Sequence, residues 1–216
     1  MDRWGGARNL WHHMLAQKGF VVMSFDNRGT PAPKGRAWRK SIYRQIGILA
    51  SSDQAAAVKE VLAQSPWIDP DRVGIWGWSG GGSMTLNAMF RYPDLYKSGV
   101  SVAPVPNQLY YDTMYQERYM GIPSENPEGY RLGSPITFAH QLKGELLLIH
   151  GTGDDNCHYQ TSELLINELI RQNKQFSMFS YPNRSHAIRE GENTSRHLYQ
   201  QITNHFLRTL PTPDSL

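Results

Sequence analysis

The run Gly77-Trp78-Ser79-Gly80-Gly81 follows the pattern G-x-S-x-G, in which a serine occupies a sharp turn between the end of a strand and the start of a helix. Chemistry dictates that spacing. A serine on such a turn takes a strained backbone conformation, and side chains two residues before and after it would collide, so glycine is expected at both places. The helix that follows points its N-terminus at the serine, where backbone N–H groups favour a developing oxyanion. Context strengthens the bare pattern, because Val73-Gly74-Ile75-Trp76 precedes it as a buried-strand run and a helical stretch follows. The competing reading is a glycine-rich strand-to-helix turn with an inert serine.

A serine is a weak nucleophile without a base, and the base needs an acid to hold it. Past the apolar run Leu146-Leu147-Leu148-Ile149 come His150-Gly151-Thr152-Gly153-Asp154-Asp155, which put two carboxylates just after a strand. Past Phe179-Ser180-Tyr181 come Pro182-Asn183-Arg184-Ser185-His186, a histidine just after the next strand. Serine, acid and histidine in that chain order, each at the C-terminal end of a strand, fit a Ser–His–Asp arrangement at the edge where open α/β sheets bind ligands. Spacing leaves Asp154 and Asp155 as alternatives for the acid. His150 reads as a strand-end residue bonded to backbone, and His158 as either pocket lining or surface. His12, His13, His140, His197 and His205 take no role. No His, Glu or Asp spacing suggests a metal site, the glycines form no phosphate loop, and no cofactor is implied.

The elements that must hold these groups alternate along the chain. Helical patterns cover residues 8–18, 52–63, 82–90, 161–171 and 195–207, the first of them ended by Gly19 at its C′ position. Strand patterns cover residues 20–25, 72–78, 99–103, 145–150 and 175–181. Five core strands are thus expected in an α/β domain, with a mostly parallel sheet flanked by helices. Residues 105–139, rich in Tyr, Pro and Gly, break the rhythm and read as an insert that forms a lid or substrate-binding cap.

Composition bounds the rest. A chain of 216 residues with 39% hydrophobic and 19% charged residues suits one large domain and excludes disordered and collagen-like classes. The net charge of +3 is scattered, which gives nucleic-acid binding no support. The longest apolar runs are too short to span a bilayer, and the N-terminus has no apolar h-region. Cys157 is the only cysteine, so neither an intrachain disulfide nor a sulfur-based zinc cluster can form.

Three segments together carry a resemblance to a known family: Gly77-Trp78-Ser79-Gly80-Gly81, His150-Gly151-Thr152-Gly153-Asp154-Asp155-Asn156, and Tyr110-Tyr111-Asp112-Thr113-Met114-Tyr115-Gln116-Glu117-Arg118-Tyr119-Met120-Gly121. With Asp26-Asn27-Arg28-Gly29 and Ala103-Pro104-Val105, they resemble the prolyl oligopeptidase family of serine peptidases, and within it the dipeptidyl-peptidase IV-like subgroup. The resemblance implies an α/β-hydrolase fold over residues 1–216 and an activity that hydrolyses peptide bonds after Pro or Ala near the N-terminus of peptides. It implies Ser79 as nucleophile, forming the acyl-enzyme, Asp154 as acid and His186 as base, with the backbone N–H of Gly80 in the oxyanion hole. It places Trp78, Val105, Tyr111 and Tyr115 around a pocket for the Pro or Ala side chain, although Tyr111 and Tyr115, four apart, read from spacing alone as core residues on one helical face. Asn156 would bond the substrate carbonyl, with Cys157 beside it. Peptide substrates are the partners implied; a homodimer and a periplasmic or cell-surface location follow by family analogy.

Three departures from the family's pattern shape further expectations. Gly80 stands where the family usually has Tyr, which thins a pocket wall. No β-propeller, with its paired glutamates for the substrate amino terminus, is present in 216 residues. The family's hydrolase domain also starts several strands earlier, with a loop whose tyrosine completes the oxyanion hole. The domain is therefore expected to be incomplete at its N-terminus, lacking its first strands and leaving open strand edges and exposed apolar surface near residues 20–25. Alternatives that keep the triad are an esterase or an acylaminoacyl- or prolyl-oligopeptidase-type hydrolase; a third is a catalytically silent remnant.

Overall fold

A computed structural model describes residues 9–211. In chain order the elements are α1 (Leu10–Gln17), α2 (Gly35–Lys40), α3 (Leu49–Gln64), β1 (Gly74–Trp78), α4 (Gly80–Arg91), β2 (Ser98–Val102), α5 (Thr113–Met120), α6 (Pro127–Gly133), β3 (Glu145–Gly151), α7 (Tyr159–Arg171), β4 (Ser177–Tyr181) and α8 (Thr194–Thr209). The strands lie side by side in the order β1-β2-β3-β4, all parallel. Trp78 pairs with Val102, and Val102 with Ile149, so the strand ends that carry the candidate residues emerge along one edge.

Burial on both faces explains why β3 reads as a continuous apolar run. Leu146 and Leu148 point into a core with Ala55 and Val58 of α3, Leu86 and Phe90 of α4, and Leu165 and Leu169 of α7. Leu147 and Ile149 alternate to the other face, where Leu198, Ile202 and Phe206 of α8 cover them. Trp11 of α1 packs on that second core and donates its indole N–H to Thr203 Oγ1 at 2.9 Å. Gly19 ends α1 as its position suggests: its φ is +87°, and the N–H groups of Gly19 and Phe20 return to the carbonyls of Ala16 and Leu15. Arg8, the first residue of the helix read from the sequence, lies outside the described residues.

One strand expectation is corrected. Residues 20–25 form no strand, so the sheet has four strands among the described residues rather than five. The run is mostly apolar, yet among the described residues no neighbouring strand offers it a ladder. Val21, Val22 and Met23 stay 45%, 37% and 39% exposed, and only Phe20 and Phe25 reach the two cores. The segment is tied to α3 instead: Gln54 donates to the Phe25 carbonyl at 2.9 Å, and Arg28 grips Asp53 through Nε and Nη2. The 105–139 region holds α5, α6 and short 3-10 turns rather than strands.

Candidate active site

β1 delivers the chain to Ser79, whose φ of 59° and ψ of −121° are a strained conformation for a non-glycine residue. The strain is held from two sides. Ser79 N–H donates to the Val102 carbonyl at 2.8 Å, and the Ser79 carbonyl accepts Ser83 N–H at 3.0 Å as α4 begins. Gly77 is sterically required, since a Cβ there would lie 2.2 Å from the Gly81 carbonyl oxygen. Gly81 is not: a Cβ at that position would meet nothing within 4 Å, which corrects the expectation of a collision on both sides of the serine. Gly80 is equally open. Its N–H falls in the first turn of α4, where the helix supplies no acceptor.

After β3 the chain turns back sharply and buries Asp154 to 5% exposure. Asp154 Oδ1 accepts the backbone N–H groups of Asn156 and Cys157, both at 2.9 Å. Oδ2 accepts His186 Nδ1–H at 2.8 Å and His150 Nε2–H at 3.1 Å. Burial alone would raise the pKa of this carboxyl, but the bonds from His150, His186 and Asn156 outweigh it and hold the group well below the usual carboxylate range. Asp155 turns outward and lines an open cleft of about 660 Å³ with Tyr110, Tyr111, Asp112, Asn156 and His158.

The loop after β4 brings His186 in against this turn. Close approach is possible because residue 151 is glycine; a Cβ there would lie 2.2 Å from the Arg184 carbonyl oxygen. Buried Ile188 anchors the loop from below, and the Trp78 indole N–H donates to the His186 carbonyl at 2.9 Å. The Asp154 carboxylate can only accept, so His186 donates from Nδ1, and in the neutral ring the lone pair lies on Nε2. The Asp154 bond first, and the adjacent Cys157 sulfur second, raise the His186 pKa above its ordinary value. Ser79 Oγ sits 4.0 Å from Cys157 Sγ and is not hydrogen-bonded to His186.

A pocket of about 150 Å³ opens beside Ser79 and Gly80, walled by Val105, Tyr111, Tyr115 and Met84. Tyr111 precedes α5 and Tyr115 lies in its first turn; neither is a core residue, and their rings meet edge to face at 5.4 Å. Tyr111 OH donates to Asn156 Oδ1 at 2.7 Å, which leaves the Asn156 amide hydrogens for another acceptor. Trp78 does not line this pocket. It packs on the core beneath α8 and acts as the tether of the histidine loop. That tether and the polar lining by Gln108 and Gln116 depend on long-range folding, while His150 meets Asp154 across only four residues; the sequence reading missed all three.

A parallel sheet with a strained serine between β1 and α4, and an Asp–His pair just past the ends of β3 and β4, defines an α/β-hydrolase domain. The model of the prolyl oligopeptidase family matches residues 9–212. The chain belongs to that family. It is 36% identical to dipeptidyl peptidase 8 of Mus musculus over 93% of its own length and 23% of that protein's. It is 37% identical to the prolyl endopeptidase FAP of Mus musculus over 94% of its length and 26% of that protein's. Among solved structures, Porphyromonas gingivalis dipeptidyl peptidase 4 superposes with a TM-score of 0.89 at 42% identity, covering 93% of this chain and 28% of that one. The chain thus spans about a quarter of the length of the relatives it matches.

Proposed function

We propose that this chain is the catalytic domain of a dipeptidyl-peptidase-like serine peptidase that cleaves after Pro or Ala near the N-terminus of peptides. The observation that carries the reading is the 2.8 Å Asp154–His186 bond set beside a serine with φ of 59°. Ser79 attacks the scissile carbonyl while His186 Nε2 takes its proton, and Asp154 keeps the hydrogen on Nδ1 and stabilises the imidazolium. The Gly80 N–H donates to the oxyanion; one such donor is worth roughly 2.7–4 kcal/mol in the transition state. His186 then protonates the leaving amine, and water hydrolyses the acyl-enzyme on Ser79. The pocket walled by Val105, Tyr111 and Tyr115 supports a compact apolar ring or methyl group rather than a long side chain. Asp112 and Asp155 in the adjoining cleft support a cationic amino terminus nearby.

The test is intact-mass labelling with a fluorophosphonate beside a Ser79→Ala control, followed by Gly-Pro-anilide against a p-nitrophenyl ester. One adduct, lost in the control, with turnover of the anilide is expected. An adduct with ester turnover alone supports the esterase alternative. A folded chain that takes no adduct overturns the catalytic reading.

A further inference from the structure

A second histidine faces the candidate acid. His150, the last residue but one of β3, has no solvent exposure, and its ring lies between Asp154 and α7. Its Nε2 is 3.1 Å from Asp154 Oδ2 and 2.8 Å from the Cys157 carbonyl oxygen, while its Nδ1 is 2.8 Å from Ser162 Oγ. Both neighbours of Nε2 are acceptors, so Nε2 carries the hydrogen and Nδ1 accepts the hydroxyl of Ser162, itself fully buried in α7. The ring does two things at once. It fills the remaining acceptor position of Oδ2, the atom that also receives His186, and it closes the turn whose N–H groups hold Oδ1.

We propose that His150 is a positioning residue of the site, which orients the Asp154 carboxylate toward His186 and is itself oriented by Ser162. The inference rests on the triad reading above. A carboxylate held by two N–H groups alone could pivot about its Cβ–Cγ bond; a third fixed donor on the same oxygen as His186 removes that freedom. The bond also withdraws charge from Oδ2, which limits how strongly Asp154 stabilises the imidazolium and so moderates the basicity of His186. The ionisable neighbours of this cluster are His186, Cys157, Tyr111 and, edge-on to the His150 ring at 5.4 Å, Tyr159.

The experiment is fluorophosphonate labelling of the full chain as a function of pH, for the wild type, His150→Leu, His150→Gln and Ser162→Ala. His150→Leu is expected to slow labelling by about 10-fold to 100-fold, the loss of a bond to a charged group, and to move the acidic limb to higher pH. His150→Gln, which keeps a donor near Nε2, is expected to recover the limb and much of the rate. Ser162→Ala is expected to slow labelling with little change in the fold, and with His150→Gln it carries the test if His150→Leu does not fold. A merely structural role for His150 would lower the melting temperature of all three variants without moving the limb, and that result overturns the proposal. Equal rates in wild type and folded variants overturn it too, with the triad reading intact. A wild type that takes no adduct overturns both.

Discussion

Replacing Gly77 and Gly81 one at a time should give opposite results, although the G-x-S-x-G pattern treats them alike. A Cβ on residue 77 would lie 2.2 Å from the Gly81 carbonyl oxygen and 2.3 Å from its carbon, against ordinary contact beginning at 3.4 Å. That carbonyl cannot swing away freely, because Thr85 Oγ1 donates to it at 3.0 Å from the next turn of α4. In Gly77→Ala the first turn of the helix must therefore retreat by about 1 Å, a forced shift that costs about 1–3 kcal/mol. At about 2–4 °C per kcal/mol for a domain of this size, the midpoint of that range lowers the melting temperature by about 4–8 °C. Ser79 and the Gly80 N–H ride on the displaced turn, and a misplacement of about 1 Å slows labelling about 10²-fold. In Gly81→Ala the new methyl meets nothing, and the better helix propensity of Ala adds up to about 1 kcal/mol. The assay is the rate of fluorophosphonate adduct formation by intact mass, beside thermal unfolding. Labelling of Gly77→Ala within about threefold of wild type, or equal damage from Gly81→Ala, would refute the close-approach argument.

Three other perturbations read the remaining parts of the site. Trp78→Phe keeps a ring in the core but loses the 2.9 Å bond to the His186 carbonyl, so stability should fall by about 1 kcal/mol and labelling should slow; an unchanged rate would show that the loop does not need its tether. Tyr111→Phe releases Asn156 Oδ1 and should raise KM for Gly-Pro-anilide by about 5-fold to 10-fold, while the fluorophosphonate rate stays as it was. Asp154→Asn should slow labelling by about 10⁴-fold and return the acidic limb toward the ordinary imidazole value of 6.5. Because folding raises the His186 pKa, its contribution to stability is complete below that ordinary value and is lost as pH rises through the folded-state value. Because folding depresses the Asp154 pKa, its contribution is complete above the ordinary 3.8 and is lost as pH falls toward the folded-state value. The melting-temperature gap between wild type and Asp154→Asn should therefore be widest between those two ordinary values and narrow on either side.

Legibility in the sequence tracks the range of the interaction that decides each feature. The β1–α4 elbow is decided within five residues, and both its position and its strained serine are readable from glycine spacing and a flanking apolar run. α8 and α7 are readable because an apolar stripe needs only a sheet beneath it, which the strand runs already promise. Residues 20–25 mislead because an apolar run records affinity for a core and says nothing about a ladder partner. Phe20 and Phe25 do find cores, while the backbone between them pairs with no strand among the described residues. α5 and α6 escape a periodicity search for a related reason: α5 is short, capped by Asp112, and turns Tyr115 toward a cleft rather than a core.

The acid shows why a site is harder to read than a fold. Asp154 and Asp155 are adjacent, chemically identical and equally close to the end of β3, so no pattern of residue types separates them. What separates them is the supply of donors. A turn over residues 151–157 aims two backbone N–H groups at one carboxylate, β4 brings His186 against it, and His150 reaches it from the strand itself. A buried carboxylate without those donors would not stay charged, so the burial of Asp154 and its four bonds are one fact. Asp155, with none of them, remains at the rim of the open cleft. The residue fit to hold the His186 tautomer is thus selected by two separate chain segments, residues 150–157 and the loop after β4. This is also why Trp78 and His150, read from the sequence as pocket wall and strand end, take positions that steady the histidine and the acid.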